Sequence, residues 1–326
     1  MRKSGKLSVV DLFAGAGFLS HAFTSERFQV LRAIEQNSLA AETYRNNLGD
    51  HVEVADICSI EPKGVCDVLV GGPPCQGFST LGSRNKNDPR NRLTMQMATW
   101  AEVLQPKVVV VENVPSFLTS EHWTNLKDRF EELGYEVTSV VLNAADFGVA
   151  QQRRRCFAVA SKIGLPTIAI PSRQRLVTVR EAWDGLTEKP NGLNGHDART
   201  PSPVALARMK VIPPGGDKRD VLRLAPQLAP NSWWKIGVQA TDVWGRMIWD
   251  KPSNTLRTAL LNPSKGRYIH PEQHRVITLR EAARLHSVPD SWAFAGTPYQ
   301  IARQIGNGVP PLLGRVVARA VRLLFD

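Results

Sequence analysis

The chain has 326 residues, with 41 Lys and Arg against 30 Asp and Glu, a formal net charge of +11 and a pI near 9.8. That length suits one large α/β domain carrying a smaller second one, and the basic excess favours a polyanionic partner such as nucleic acid. Four cysteines (Cys58, Cys66, Cys75, Cys156) lack the paired short spacing of a zinc site, and a chain this long does not need disulfide staples.

In chain order, β-rich runs are predicted at Leu7 to Phe13, Phe28 to Glu35, His51 to Asp56, Asp67 to Gly71, Val108 to Glu112, Tyr135 to Leu142 and Cys156 to Ser161. Apolar residues recur at helical spacing over Ser38 to Asn46, Leu93 to Leu104 and Asn125 to Leu133, and Pro106 and Gly134 follow two of these as stop signals. The alternation predicts a doubly wound, Rossmann-like α/β sheet. Residues 171–274 then hold 11 of the 22 prolines, with 16 basic and nine acidic residues and the Trp233–Trp234 pair, as expected of a smaller, loop-rich domain. Helical periodicity returns at Thr278 to His286 and Pro311 to Leu324. The expected organisation is therefore 1–170, 171–274, and a 275–326 segment returning to the first domain. The polar start, Met1 to Ser8, and the lack of an apolar run near the roughly 20 residues of a membrane span predict a soluble cytoplasmic protein.

Asp11-Leu12-Phe13-Ala14-Gly15-Ala16-Gly17 reads as a strand ending in a glycine turn that opens a helix, a usual place for a nucleotide-like ligand. Ser20 stands where a dinucleotide fingerprint needs its third glycine, which disfavours a nicotinamide cofactor. Glu35 closes the second strand, where a carboxylate can accept from a ribose diol, and Asp56 closes the third, facing an adenine amino group; alternatively each acid simply caps the next helix. Gly71-Gly72-Pro73-Pro74-Cys75-Gln76-Gly77-Phe78-Ser79 sets a cysteine on a backbone stiffened by two prolines just after a buried strand, as suits a nucleophile. Cys58, Cys66 and Cys156 are read as packing. Val108 to Val111 delivers Glu112 to the C-terminal edge of the sheet, where a buried acid is costly unless it works. His270 and His274, four apart with no third ligand, are read as a surface pair and not a metal site.

Taken together, Asp11 to Gly17, Pro73-Pro74-Cys75-Gln76, Glu112-Asn113-Val114, Gln151-x-Arg153-x-Arg155, Arg280 to Leu285 and Gly306-Asn307-Gly308-Val309-Pro310 resemble the ordered motifs of the DNA cytosine-5 methyltransferases, in their prokaryotic restriction-modification form. The resemblance runs from end to end of the chain. It implies a base-flipping transferase in which Cys75 adds to cytosine C6, Glu112 holds the N3 edge and Arg155 the O2 side, with Arg153 in the same catalytic run. It implies S-adenosylmethionine as donor, against Phe13, Ala14, Gly15 and Gly17, with Glu35 and Gln36 at the ribose, Asp56 and Ile57 at the adenine, Pro74 and Leu93 lining the pocket, and Asn307 and Val309 closing it. Ser79, Arg84 and Arg90 would contact DNA from a loop over 79–91 that closes on the duplex, Gln76 just before that loop would also contact DNA, and 171–274 would be the target recognition domain.

The implied partners are double-stranded DNA and a separately acting restriction endonuclease; no metal, no membrane and a monomeric enzyme are expected. Phe18, Gly308, His286 and Val288 depart from the family pattern, which more often has glycine, serine, glutamine and phenylalanine. Two other readings stay open: a tRNA cytosine-5 methyltransferase, against which the long second domain speaks, and a catalytically silent DNA-binding regulator.

Overall fold

The structure, a computed structural model, describes residues 6–74, 91–170, 175–192, 194–236 and 239–326. Its strands are β1 Ser8–Leu12, β2 Gln29–Glu35, β3 Val52–Val54, β4 Val68–Gly71, β5 Val108–Asn113, β6 Glu136–Asn143 and β7 Arg154–Ser161. The helices are α1 Phe18–Ser25, α2 Ser38–Leu48, α3 Asn91–Leu104, α4 Glu121–Glu132, α5 Val179–Ala182, α6 Pro203–Val211, α7 Lys218–Leu224, α8 Asn231–Ile236, α9 Leu279–Leu285, α10 Pro298–Asn307 and α11 Pro311–Arg322.

The chain forms two compact units. The first takes in the described residues of 1–147, 154–173 and 309–326; the second takes in those of 148–153 and 174–308. Segment 275–308 thus groups with the second unit, and only 309–326 with the first.

The first unit is built on a seven-stranded sheet in the order β3-β2-β1-β4-β5-β7-β6. β1 to β5 pair in parallel. The parallel strands carry helices on their faces, so a central strand is covered on both sides and reads as an unbroken apolar run, as Val108 to Val111 does. Strand order reverses on the two sides of β1, and in such sheets ligands bind beyond the C-terminal strand ends at that switch point. β7 runs antiparallel to both β5 and β6, a reversal that the parallel reading of the sequence did not contain.

α11 belongs to this unit. Gly314 lies so close to α1 that a Cβ there would stand 2.7 Å from the Ala22 Cβ. Glu26 takes Arg315 and Arg319, each at 3.2 Å.

The second unit is made of short helices and irregular chain around buried polar groups. Arg246 is among them, with its guanidinium donating to the carbonyls of Met209, Ile212, His270 and Gln273. His270 is not a surface group: it is 3% exposed, stacks on Trp183 and accepts from the amides of Glu272 and Gln273. His274 Nδ1 accepts from Arg246. A carbonyl-rich pocket around one guanidinium accompanies the burial of the His270 ring, which overrides the polar look of the local sequence, while His274 stays exposed as expected. Trp233 is core, while Trp234 is 56% exposed.

Candidate active site

The site in the first unit follows from strand direction. β5 ends in Glu112 and Asn113, and β7 passes it the other way, so that Asn113 pairs with Cys156 and Glu112 with Phe157. Arg155 lies two residues before Phe157, on the same face of the sheet, and is the diagonal neighbour of Glu112. Its Nε stands 2.9 Å from Glu112 Oε1, with both side chains almost wholly covered. An arginine so placed fixes the orientation of the buried carboxyl group.

The end of β4 meets the same place. Gly72 lies tight against the acid, since a Cβ there would stand 3.1 Å from Glu112 Oε2. Asn113 Nδ2 donates to the Pro73 carbonyl at 3.2 Å, and its Oδ1 accepts from the Val114 amide. The Gly72-Pro73-Pro74 segment is therefore tied to the edge that carries Glu112. Asn113 and Gly72 do this positioning, and sequence reasoning gave neither a role; the signal available was an asparagine directly after the acid at a strand end. Cys75, Gln76, Ser79, Arg84 and Arg90 lie outside the described residues.

Around the turn after β1, Phe13 has φ 59, Gly15 φ 57 and Gly17 φ 88. A left-handed phenylalanine costs of order 1 kcal/mol or more, and such strain collects at ligand sites. Gly17 is required twice over, by its φ and because a Cβ would fall 2.7 Å from Leu48 Cδ1. At Gly15, by contrast, a Cβ would meet nothing within 4 Å among the described residues, which leave the outer side of the turn open.

Glu35 receives the Gly15 amide on Oε2 at 2.8 Å and the Asn37 amide on Oε1 at 2.7 Å. Burial raises its pKa, against those hydrogen bonds, which lower it. The Gln36 amide also acts on this carboxylate, which as an acceptor of about four lone-pair sites keeps room for an incoming hydroxyl. Asp56 is exposed, and its Oδ1 accepts from the Cys58 amide. Ile57 belongs to the large apolar cluster of this unit, and Phe13 and Leu93 are partly buried against that cluster; Ala14 is buried, Gln36 exposed and Pro74 half-buried.

Beneath the turn lies a group the sequence reading passed over. Asp11 is 1% exposed, and its Oδ2 accepts from Ser20 Oγ at 2.6 Å; the Tyr44 hydroxyl lies 2.9 Å from Ser20 Oγ and 2.9 Å from His51 Nε2. Burial pushes the Asp11 carboxyl up to about 7, with Glu35 adding to the rise.

Arg153 and Asn307 belong to the second unit, Val309 to the first. Arg153 is fully buried and donates to the carbonyls of Leu256 at 2.9 Å, Gly306 at 2.7 Å and Gly308 at 2.9 Å. A guanidinium so engaged holds backbone in place and is not presented to a substrate, which separates it from Arg155. Asn307 is exposed at the end of α10, and Val309 is buried. Among the described residues no cluster of three or more His, Cys, Asp or Glu could hold a metal ion, and no helix is long and apolar enough to cross a membrane.

Residues 7–322 match the family model of the C-5 cytosine-specific DNA methylases. The chain belongs to this family. The methylase is 34% identical to the type II methyltransferase M1.HphI of Haemophilus parahaemolyticus, over 97% of this chain and 86% of the relative. It is 31% identical to the type II methylase M.HgiDII of Herpetosiphon aurantiacus, over 98% and 96%. Among solved structures, a DNA modification methyltransferase encoded within an E. coli prophage superposes with a TM-score of 0.76 at 24% identity, covering 98% of this methylase and 99% of that chain. The S. pombe Dnmt2 methyltransferase superposes at 0.70 with 17% identity, over 98% of each chain. At these identities the solved structures speak to the fold alone, an α/β architecture shared across the family.

Proposed function

We propose that this methylase transfers a methyl group from S-adenosylmethionine to C5 of a specific cytosine in double-stranded DNA, as the modification arm of a restriction-modification system. The observation that carries the reading is the Glu112–Arg155 pair, held at the C-terminal edge of the sheet against Gly72-Pro73, from which the chain runs on through Pro74 to Cys75.

The turn fits the donor: Gly15 is open on its outer side, Glu35 sits behind it with lone pairs to spare for a ribose diol, and Phe13, Ile57 and Leu93 supply an apolar wall for an adenine. When bound, S-adenosylmethionine supplies the electrophilic methyl group. Asp56 Oδ2 would accept from the adenine amino group, and Asn307 and Val309 would border the pocket.

Cytosine C5 is a weak nucleophile. Addition of the Cys75 thiolate to C6 would make it enamine-like, with the negative charge relieved by a proton that Glu112 holds at N3. Arg155 fixes the Glu112 carboxylate and stands ready for the O2 side of the base. Loss of the C5 proton and expulsion of Cys75 restore the aromatic ring. These atoms are out of reach in a stacked duplex, so the base is flipped out, at a cost of a few kcal/mol. Residues 171–274 are proposed as the target recognition region, with Gln76, Ser79, Arg84 and Arg90 on the DNA side of the catalytic loop.

The reading is tested by incubating the purified protein with labelled donor and either duplex DNA or tRNA. Label entering the duplex as 5-methylcytosine supports it; label confined to tRNA, or none, rejects it.

A further inference from the structure

Two acids of the first unit meet under the turn after β1, and the donors that reach them are neutral groups. Glu35 accepts from the backbone amides of Gly15 and Asn37, with the Gln36 amide also acting on it. Asp11 takes the hydroxyl of Ser20 and is acted on by the amide of the same residue. Among the described residues the charge that acts on Asp11 is that of Glu35, a like charge, while His21, one residue beyond Ser20 in α1, is acted on by Arg315. A buried carboxylate without a positive partner is costly, and burial holds this carboxyl near 7, at the edge of ionisation.

Asp11 is tied both to the turn and to the surface. The Tyr44 ring lies against Gly17, where a Cβ would stand 2.8 Å from Tyr44 Cδ2. An ionised Asp11 only accepts, so Ser20 gives it its one hydroxyl hydrogen, at 2.6 Å. The Ser20 oxygen then accepts from the Tyr44 hydroxyl at 2.9 Å, and the Tyr44 oxygen accepts from His51 Nε2 at 2.9 Å. Burial pushes the Tyr44 hydroxyl up, with the charge of Asp11 adding to the rise, and pushes the His51 imidazole down against the opposing charge of Asp50. Both links are therefore neutral near pH 7, and the half-buried His51 joins the chain to solvent.

We propose that Asp11 is a specificity-determining residue, a counter-charge beneath the turn that favours the sulfonium of S-adenosylmethionine over the uncharged thioether of the spent product, S-adenosylhomocysteine. The proposal rests on the reading of this turn as the donor site. The two ligands differ by one methyl group and one positive charge, so a buried carboxylate beneath them discriminates by charge. Binding of the cation draws Asp11 into its ionised form, and the proton leaves along Ser20, Tyr44 and His51. Once the methyl group has been transferred the attraction is gone, the proton returns to Asp11, and the product is released more readily.

The test measures the Kd of both ligands on the full chain by titration calorimetry between pH 6 and pH 8, in two buffers of different ionisation heat. For a carboxyl that becomes tenfold more acidic in the complex, S-adenosylmethionine should bind about fivefold tighter at pH 8 than at pH 6, relative to S-adenosylhomocysteine. It should also release about 0.4 proton more per molecule bound at pH 7. D11N should lose both the pH step and the extra proton. S20A removes a hydrogen bond that lowers Asp11, so its step should move to higher pH. A flat affinity ratio with equal proton release, a step that persists in D11N, or a step unmoved in S20A overturns the proposal. Should D11N fail to fold, the unsubstituted protein and S20A decide by the same measurements. Absence of binding by either ligand would instead reject the reading of the turn as the donor site, and the proposal with it.

Discussion

Removing both partners of the Glu112–Arg155 pair should cost clearly less than the sum of removing each alone. At 2.9 Å, with side chains 10% and 13% exposed, the Coulomb attraction is about 6 kcal/mol at an effective dielectric of roughly 20, and about 1.4 kcal/mol in bulk water. Desolvation offsets part of this, so E112Q or R155M alone should lower stability by about 3 to 5 kcal/mol, as expected when one buried charge is left without its partner. The double variant should recover a coupling energy of about 2 to 4 kcal/mol. The four proteins are compared by denaturant-dependent amide exchange of the β5 and β7 peptides, which follows the sheet and not the second unit. A coupling below about 0.5 kcal/mol, meaning additive losses, would show that the pair does not hold the acid and would refute the account of its geometry.

Asp11, raised from 3.8 to about 7 chiefly by burial, binds more protons folded than unfolded. Its contribution is therefore fully present below the unfolded value and is lost as pH rises through about 7. D11N lacks this titration, so between acid and mildly alkaline pH its stability should gain on that of the unsubstituted protein by up to about 4 kcal/mol in urea melts; a gap independent of pH would contradict this. R153M leaves the carbonyls of Leu256, Gly306 and Gly308 without their cationic donor and should cost about 3 kcal/mol or more, read as a lower denaturation midpoint of the second unit; a midpoint unchanged would make Arg153 a candidate substrate contact again. G306A drives a methyl group into the backbone of Arg257 and Thr258 and should destabilise the second unit by about 1 to 3 kcal/mol or more, which calorimetric melting can measure.

The elements of the sheet unit were legible because their signals are local. Val108 to Val111 is an unbroken apolar run, and the helical spacing over Ser38 to Asn46 and Leu93 to Leu104 recurs within a few residues in α2 and α3. What the sequence could not carry was strand direction. Arg155 reaches Glu112 only because β7 runs against β5, and direction is decided by how the preceding elements cross over, not by composition. The alternation in Gln151-x-Arg153-x-Arg155 invited the same role for both arginines; β7 begins only at Arg154, so Arg153 stands outside the ladder and its side chain turns into the second unit. The second unit was hardest to read. Its helices α5 to α8 run from four to nine residues, too short for periodicity to speak, and their cores gather on polar centres such as Arg246. The fate of His270 was set by those centres, and Asp11 was passed over because burial of an acid beneath a turn leaves no trace in spacing.

The central claim, that Cys75 attacks cytosine beside a fixed Glu112, is met most directly by mass spectrometry of the protein after incubation with donor and a duplex containing 5-fluorocytosine at the methylated position. Fluorine cannot leave as a proton does, so a covalent protein–DNA species should accumulate, with the linkage mapped to the peptide bearing Cys75 and absent from C75A. Methylated ordinary DNA without any such adduct, or an adduct that survives in C75A, would contradict the account.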